Sequence, residues 1–472
     1  MDARITAPDL PATPCSMPRR QRIRHELRDT VILALPLIIG QLCAIGLNVV
    51  EILLAGANGG QTLAAVGLGA AIWSVVILGA LGLMLAVPPS VAQLVGAGRQ
   101  HEIAPLFRQA LWLALAAGVL MALLVQATPW LLMRAGSDPA IIPETVSFLA
   151  PLAFGAPAQF LFFFARGLSD GLGLTRPTMW FSALGVVVLA PLGHVLMTGA
   201  FGLPAMGAFG LGLAYVITLW LQAGALLLYL ARHRNYRHLG LFERFDPPRW
   251  RPIAGLLAIA LPMGFAIWME GGLFVATAIL MSQLGPVAMA AHPIALNVAS
   301  VAFMVPMGIA LAITVRVGHA VGRDDVSGVR HAGFVGIGLV LVTQCISATV
   351  LALASNPLAS IYTDNALVLA TAVQLLVFAA IFQLSDGIQV ASNAALRGLK
   401  DTRIPALMAA FSYWGVGMTT GWWLTFRAGM GPAGLWLGLI AGLSVASLLL
   451  FGRFAVLARN ASWKRLDHRA SV

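Results

Sequence analysis

Long apolar runs, broken by short polar or Gly/Pro-rich turns, dominate this chain from residue 30 onward. A helix that crosses a bilayer needs ~20 mostly apolar residues. Twelve runs meet that length: 30–54, 62–87, 106–128, 145–165, 177–199, 208–231, 253–282, 287–315, 331–355, 366–394, 404–426 and 432–457. They do not alternate with period two, which excludes transmembrane strands. The first run follows a basic segment at 19–28 and is too long for a signal-peptide core, so it reads as a retained first helix.

Composition agrees with this pattern. The 472 residues are 59% hydrophobic and 10% charged, whereas soluble domains run nearer ~45–50% and ~25%. Mean hydropathy is +0.87. Such a chain cannot cover a water-facing surface with charge, so a soluble enzyme and a disulfide-stapled secreted fold are excluded. The net charge of +11, from 29 Lys and Arg against 18 Asp and Glu, does not call for a nucleic-acid partner. If the N-terminus is cytoplasmic, 27 of the 29 basic residues fall in cytoplasmic segments and only Arg134 and Arg427 fall outside. Holding loops on the inside is what basic residues do in membrane proteins. Cys15, Cys43 and Cys345 form neither a metal spacing nor a disulfide framework.

The chain also repeats itself. Shifted by 226 residues, Pro36 falls on Pro262, Gly82 on Gly308, Val91 on Val317 and Gly96 on Gly322. At two slightly different offsets, Arg166-Gly167-Leu168 meets Arg397-Gly398-Leu399, and Thr175-Arg176 meets Thr402-Arg403. Each half carries six runs, and an even count sends both into the membrane in the same direction. The expected fold is therefore an all-α polytopic membrane protein. Its twelve transmembrane helices form two six-helix lobes, related by a parallel internal repeat around a central cavity. Transporters are commonly built this way, with the cavity at the repeat interface. The expected organisation is a cytoplasmic tail (1–29), a first lobe (30–231), a cytoplasmic linker (232–252), a second lobe (253–457) and a second cytoplasmic tail (458–472). Gly79, Gly82 and Gly308 are expected to permit close helix approach.

Only Glu51, Glu270 and Asp386 bring acid into the runs, and no Lys or Arg lies deep in a run to neutralise them. An acid at mid-membrane costs ~2.5–3.5 kcal/mol on insertion scales. It must face a wet cavity, find a cation or hold a proton. Asp386 lies ~16 Å along its helix from Arg397, near the midplane, and is expected to share a cavity with Glu270. Polar neighbours extend the pattern. Gln41, Asn48 and Glu51 share one helical face, and Gln383, Asp386, Gln389 and Asn393 form a stripe on another. Thr277 lies two turns beyond Glu270. With Asn297, these are candidates for a polar cavity lining, or for neutral contacts that glue helices together. In the repeat, Glu51 falls opposite Thr277, Glu270 opposite Ala44 and Asp386 opposite Gly155, so the halves carry different acids.

The ordered motifs resemble a known family. They run from Pro36-x4-Gln41, Val50-Glu51-x3-Ala55-Gly56 and Leu63-Ala64-Ala65-Val66-Gly67 to Pro88-x4-Gln93-x2-Gly96 and Arg166-Gly167-Leu168. The second half adds Glu270, His292-x2-Ala295-Leu296-Asn297, Asp386-x2-Gln389, Leu396-Arg397-Gly398-Leu399-Lys400-Asp401-Thr402 and Tyr413-Trp414-Gly415. Across roughly residues 30–457 the chain is similar to the multidrug and toxin extrusion (MATE) transporters, in particular their NorM-like bacterial branch. The resemblance implies a monomer in the bacterial cytoplasmic membrane that exports organic cations and amphipathic drugs or dyes. Export is driven by inward Na+ or H+, with no other cofactor and no enzyme activity. Cation and proton chemistry is placed at the acids of helices 1, 7 and 10. Glu270 and Asp386 then take the coupling cation, with Na+ a candidate there, and Glu51 becomes a proton or substrate site. Three departures bear on ion choice. The family's usual helix 1 acid is Asp, here Glu51; its His-Gln pair is His292-Pro293; and its Pro-Leu-Asn-Tyr stretch is Pro191-Leu192-Gly193-His194.

Other readings fare worse. A flippase for a lipid-linked or polysaccharide precursor would line its cavity with Arg or Lys for phosphate, and none is seen deep in the runs. No His-Glu-x-x-His, Gly-x-Ser-x-Gly or Walker sequence supports a membrane enzyme. No symmetric charged ring points to a channel.

Overall fold

The computed structural model describes residues 19–134, 141–461 and 463. Cys15, Lys464 and most of the two expected tails lie outside the described residues. Every one of the twelve apolar runs becomes helix. The helices are α1 (Arg19–Ala57), α2 (Gly60–Met84 continued by Val87–Gly96), α3 (Ile103–Gln126) and α4 (Ile142–Ala153 continued by Ala156–Gly171). Then come α5 (Arg176–Thr198), α6 (Gly207–Arg232), α7 (Trp250–Ser282), α8 (Pro286–Gly322), α9 (Val326–Leu353) and α10 (Ala366–Gly398). The last two are α11 (403–427) and α12 (Pro432–Asn460).

Proline accounts for the breaks. Each ring removes a donor and clashes with the preceding turn, so α2 restarts at Pro88-Pro89 and α4 bends by 49° just before Pro157. Among the described residues, ten helices are long and apolar enough to cross a membrane unaided, and the bent α4 makes eleven. The twelfth, α11, is helical throughout but widens into π-helix at Phe411–Met418 and Trp423–Arg427.

Several helices outrun the apolar stretch that predicts them. The runs themselves hold no Lys or Arg deep inside them, but the helices carry basic side chains from beyond the runs into the bundle. Arg166 in α4, Arg316 in α8 and Arg397 in α10 are all helical and buried, as is Asp170 in α4. Burial is offset by partners in two of the three cases. Arg316 makes two hydrogen bonds to Glu26 of α1, at 2.8 and 2.6 Å, and a further ion pair to Asp29 at 3.2 Å. Arg166 donates to Gln41 of α1 at 2.9 Å and stands 3.4 Å from Asp170.

Helices α1–α6 and α7–α12 meet through α1 on α8, α2 on α7, and the lower piece of α2 on α8. The closest approach lies at the end of the bundle that carries the basic loops. There Gly96 of α2 faces Gly322 of α8. A Cβ on Gly96 would stand 2.2 Å from the His319 carbonyl, and one on Gly322 would stand 2.1 Å from the Gln93 carbonyl. These two contacts are mirror copies of each other in the 226-residue repeat. Gln93 also donates to the Gly398 carbonyl at 2.9 Å, and His319 bonds the Gly171 carbonyl at 3.0 Å. All three glycines stand at close helix approaches: Gly82 and Gly308 against Gly264 and Ile38 of the other half, and Gly79 against Met121 of its own half.

Contacts also reset the repeat register near the ends of α4 and α10. Gly171 packs on Pro88 and Val91, while Gly398 packs on their repeat mates Thr314 and Val317. The equivalent glycines are thus 171 and 398. The Arg-Gly-Leu match slips by one helical turn, because three identical residues on a helix look alike one turn away. In the packed register Arg397 occupies the place of Asp170, and Asp386 the place of the buried Gln159 rather than Gly155.

Candidate functional site

Three helices of the second half build the principal cluster. Glu270 comes from α7; Asp386, Gln389 and Arg397 come from α10; Tyr413 comes from α11. Asp386 is 4% exposed and Arg397 is 5% exposed, while Glu270 keeps some accessible surface. Tyr413 links the elements. Its hydroxyl accepts from Gln389 Nε2 at 2.6 Å and lies within electrostatic reach of the Glu270 carboxylate. The next residue, Trp414, donates its indole N–H to the Met269 carbonyl at 3.1 Å, pinning the α7 backbone beside Glu270. Glu270 lies within electrostatic reach of both Asp386 and Arg397. Two ionisable carboxyls and one guanidinium therefore share an interior of low dielectric, where unpaired charge is costly.

Sequence reasoning found the two acids and Gln389 but assigned no role to Tyr413 or Arg397. Tyr413 sits in a π-helical turn, which periodicity cannot foresee. Arg397 lies just past the end of an apolar run, where an arginine reads as a loop residue.

The expected lining residues divide. Gln383 is glue: it is buried, donates to the Ala299 carbonyl at 2.9 Å and accepts from Gln344 at 2.6 Å, joining α8, α9 and α10. Thr277 is buried and turns its hydroxyl back to Leu273 of its own helix at 2.8 Å. Both take the packing alternative, because periodicity gives the face a side chain takes and not what stands opposite. Asn297 is exposed and accepts from Tyr362 at 2.8 Å. Asn48 is exposed, and Asn393 and Gln41 are partly buried, Gln41 being held by Arg166. If Gln383 is structural, Gln383→Leu is expected to cost about 1–3 kcal/mol, because Gln344 is left partly unsatisfied. Thermal unfolding should show that loss while activity per folded molecule stays at wild type.

Glu51 stands apart in the first half. It is 3% exposed and acts electrostatically on Tyr215, whose ring meets Trp73 edge-on with centroids 6.4 Å apart. Among the described residues no group of three or more His, Cys, Asp or Glu is placed to hold a metal ion. The second-half cluster offers instead two carboxyls and a phenol, a donor set that suits a proton or a single monovalent cation.

Two helical halves in contact through α1, α2, α7 and α8, each burying an ionisable group inside its own helices, form the layout of a polytopic membrane transporter. The comparisons narrow this to a family. The MatE family model matches twice, at residues 36–195 and 262–423. The chain is 48% identical over 439 residues to the probable multidrug resistance protein NorM of Xanthomonas campestris pv. campestris, covering 93% of this chain and 96% of that one. It is 38% identical over 455 residues to the multidrug resistance protein PmpM of Pseudomonas aeruginosa, covering 95% of each. Among solved structures, an outward-facing multidrug resistance MATE family transporter superposes with a TM-score of 0.85 at 18% identity, covering 93% of this chain and 98% of the other. The eukaryotic MATE transporter AtDTX14 gives 0.84, also at 18%, covering 95% and 99%. The chain belongs to the MATE family, whose members are transporters and not enzymes.

Proposed function

We propose that this protein is a secondary active multidrug exporter that exchanges cationic or amphipathic organic compounds for inward-moving H+ or Na+ by alternating access. One observation carries the reading: two buried carboxyls from different helices lie within electrostatic reach of each other, and one of them, Glu270, also acts on the Arg397 guanidinium. With Arg397 fixed as a positive charge, the ionised pair carries one surplus negative charge. One monovalent cation neutralises it, whether a proton, Na+ or a cationic substrate. Competing species that cannot occupy the cluster together exchange with one another. Transport then needs only that their affinities differ between the two facings of the protein. Glu51, within electrostatic reach of Tyr215, serves as a second proton or substrate site in the other half. The proposed setting is the bacterial cytoplasmic membrane with both termini inside and the protein acting as a monomer.

The test is dye movement in proteoliposomes under a pH gradient and a Na+ gradient, each imposed alone. Dye should move against its own gradient under at least one of them. Movement that needs ATP and ignores both gradients would overturn the reading.

A further inference from the structure

The join between the two halves at the basic end holds a cavity of about 800 Å³. Its walls come from α2, α3, α7 and the start of α11. Part of the lining is apolar, with Leu94, Leu106, Leu256 and Ile259. The rim is charged, and its acids are already taken: Glu102 pairs with Arg99, Asp246 with Arg108 and Asp401 with Arg453. The rim arginines Arg249 and Arg403 enter no ion pair among the described residues, and both are exposed. A positive rim beside an apolar lining complements an anionic head joined to a greasy tail.

The adjoining linker points to the same partner. It is strapped to α3, since Arg108 donates to Asp246 at 2.6 Å, Gln109 to the Pro247 carbonyl at 2.9 Å and Trp112 to the Asp246 carbonyl at 2.9 Å. The strapping leaves Phe245 82% exposed and Trp250 73% exposed, beside Arg244, Arg249 and Arg251. Aromatic side chains interleaved with arginine at a helix start are the composition of a membrane–water interface. The cavity therefore opens where lipid headgroups lie, and basic pockets between helices on that side suit acidic headgroups.

We propose that this cavity binds the headgroup of an anionic phospholipid between Arg249 and Arg403, with an acyl chain over the apolar part of the lining. Arg249 ends the linker strapped to α3, Arg403 lies in the second half, and α2 and α3 belong to the first. A lipid seated here touches both halves and steadies their contact at this end.

The test uses delipidated full-length protein in detergent, titrated with phosphatidylglycerol or phosphatidylcholine and read by native mass spectrometry. Wild type should retain phosphatidylglycerol preferentially. The double variant Arg249→Gln/Arg403→Gln should lose affinity for it on the order of 30-fold, at about 1 kcal/mol per basic residue. Arg24→Gln/Arg28→Gln, on the same end but away from the cavity, should bind as wild type does. Glycerol phosphate, which has the head without the tail, should compete poorly. Equal retention of the two lipids, equal loss in both double variants, or full competition by glycerol phosphate would each overturn the proposal. None of these readings depends on transport, so failure here is distinct from failure of the exporter assignment.

Discussion

Asp386→Asn and Glu270→Gln are each expected to lower ion-driven export on the order of 100-fold, the upper range of coupling between two binding events in one protein. Both replacements keep the shape and remove the exchangeable charge, so protein should still reach the membrane in normal amount. The two should differ in stability. Glu270 is the acid whose charge acts on Arg397, and neutralising it leaves a buried guanidinium uncompensated. Glu270→Gln should therefore lower the melting temperature in detergent, whereas Asp386→Asn should not. The double variant should be no less active than either single one, since neighbours that act as a unit are not additive. Near-normal export by both single variants at wild-type abundance would remove the cluster from the mechanism.

Gly322→Ala is expected to disable transport by a different route. The new methyl would be driven against the Gln93 carbonyl and the Ala97 amide, at 2.1 and 2.7 Å. Both obstacles are backbone, so no rotamer change relieves them. Overpacking of this kind costs about 1–3 kcal/mol, which shifts the balance between closed and separated halves by a factor of roughly 5–150. Spin labels at positions 99 and 324, one on each half, should report a longer distance in the variant than in an otherwise wild-type background. Gly96→Ala should behave alike, because its Cβ would meet the His319 carbonyl at 2.2 Å. Unchanged distances in both variants would show that this contact is not a gate.

The helices were legible because lipid leaves little choice. Unsatisfied backbone is too costly in hydrocarbon, so a long apolar run must be helix, and all twelve runs obey. Buried acids were legible for a related reason: a carboxyl in such a run needs an explanation. What remained hidden lay beyond the ends of the runs or across a gap. Arg166, Arg316 and Arg397 looked like loop residues, yet the helices extend past the apolar stretch and carry them inside. The Glu26–Arg316 pair joins residues 290 positions apart, which no local pattern encodes. Gln383 and Asp386 share a stripe, but one meets Gln344 and the other lies beside Glu270. Which neighbour a face meets is decided by packing.

The strapped linker has a mechanical consequence. Residues 240–249 hang from Arg108, Gln109 and Trp112, so although the connection is long, little of it is free to pivot. The covalent joint between the two bodies contracts to a few bonds around Trp250 and Pro252. Lengthening the loop upstream should leave this joint as stiff as before, while one residue inserted at 250 would slacken the connection.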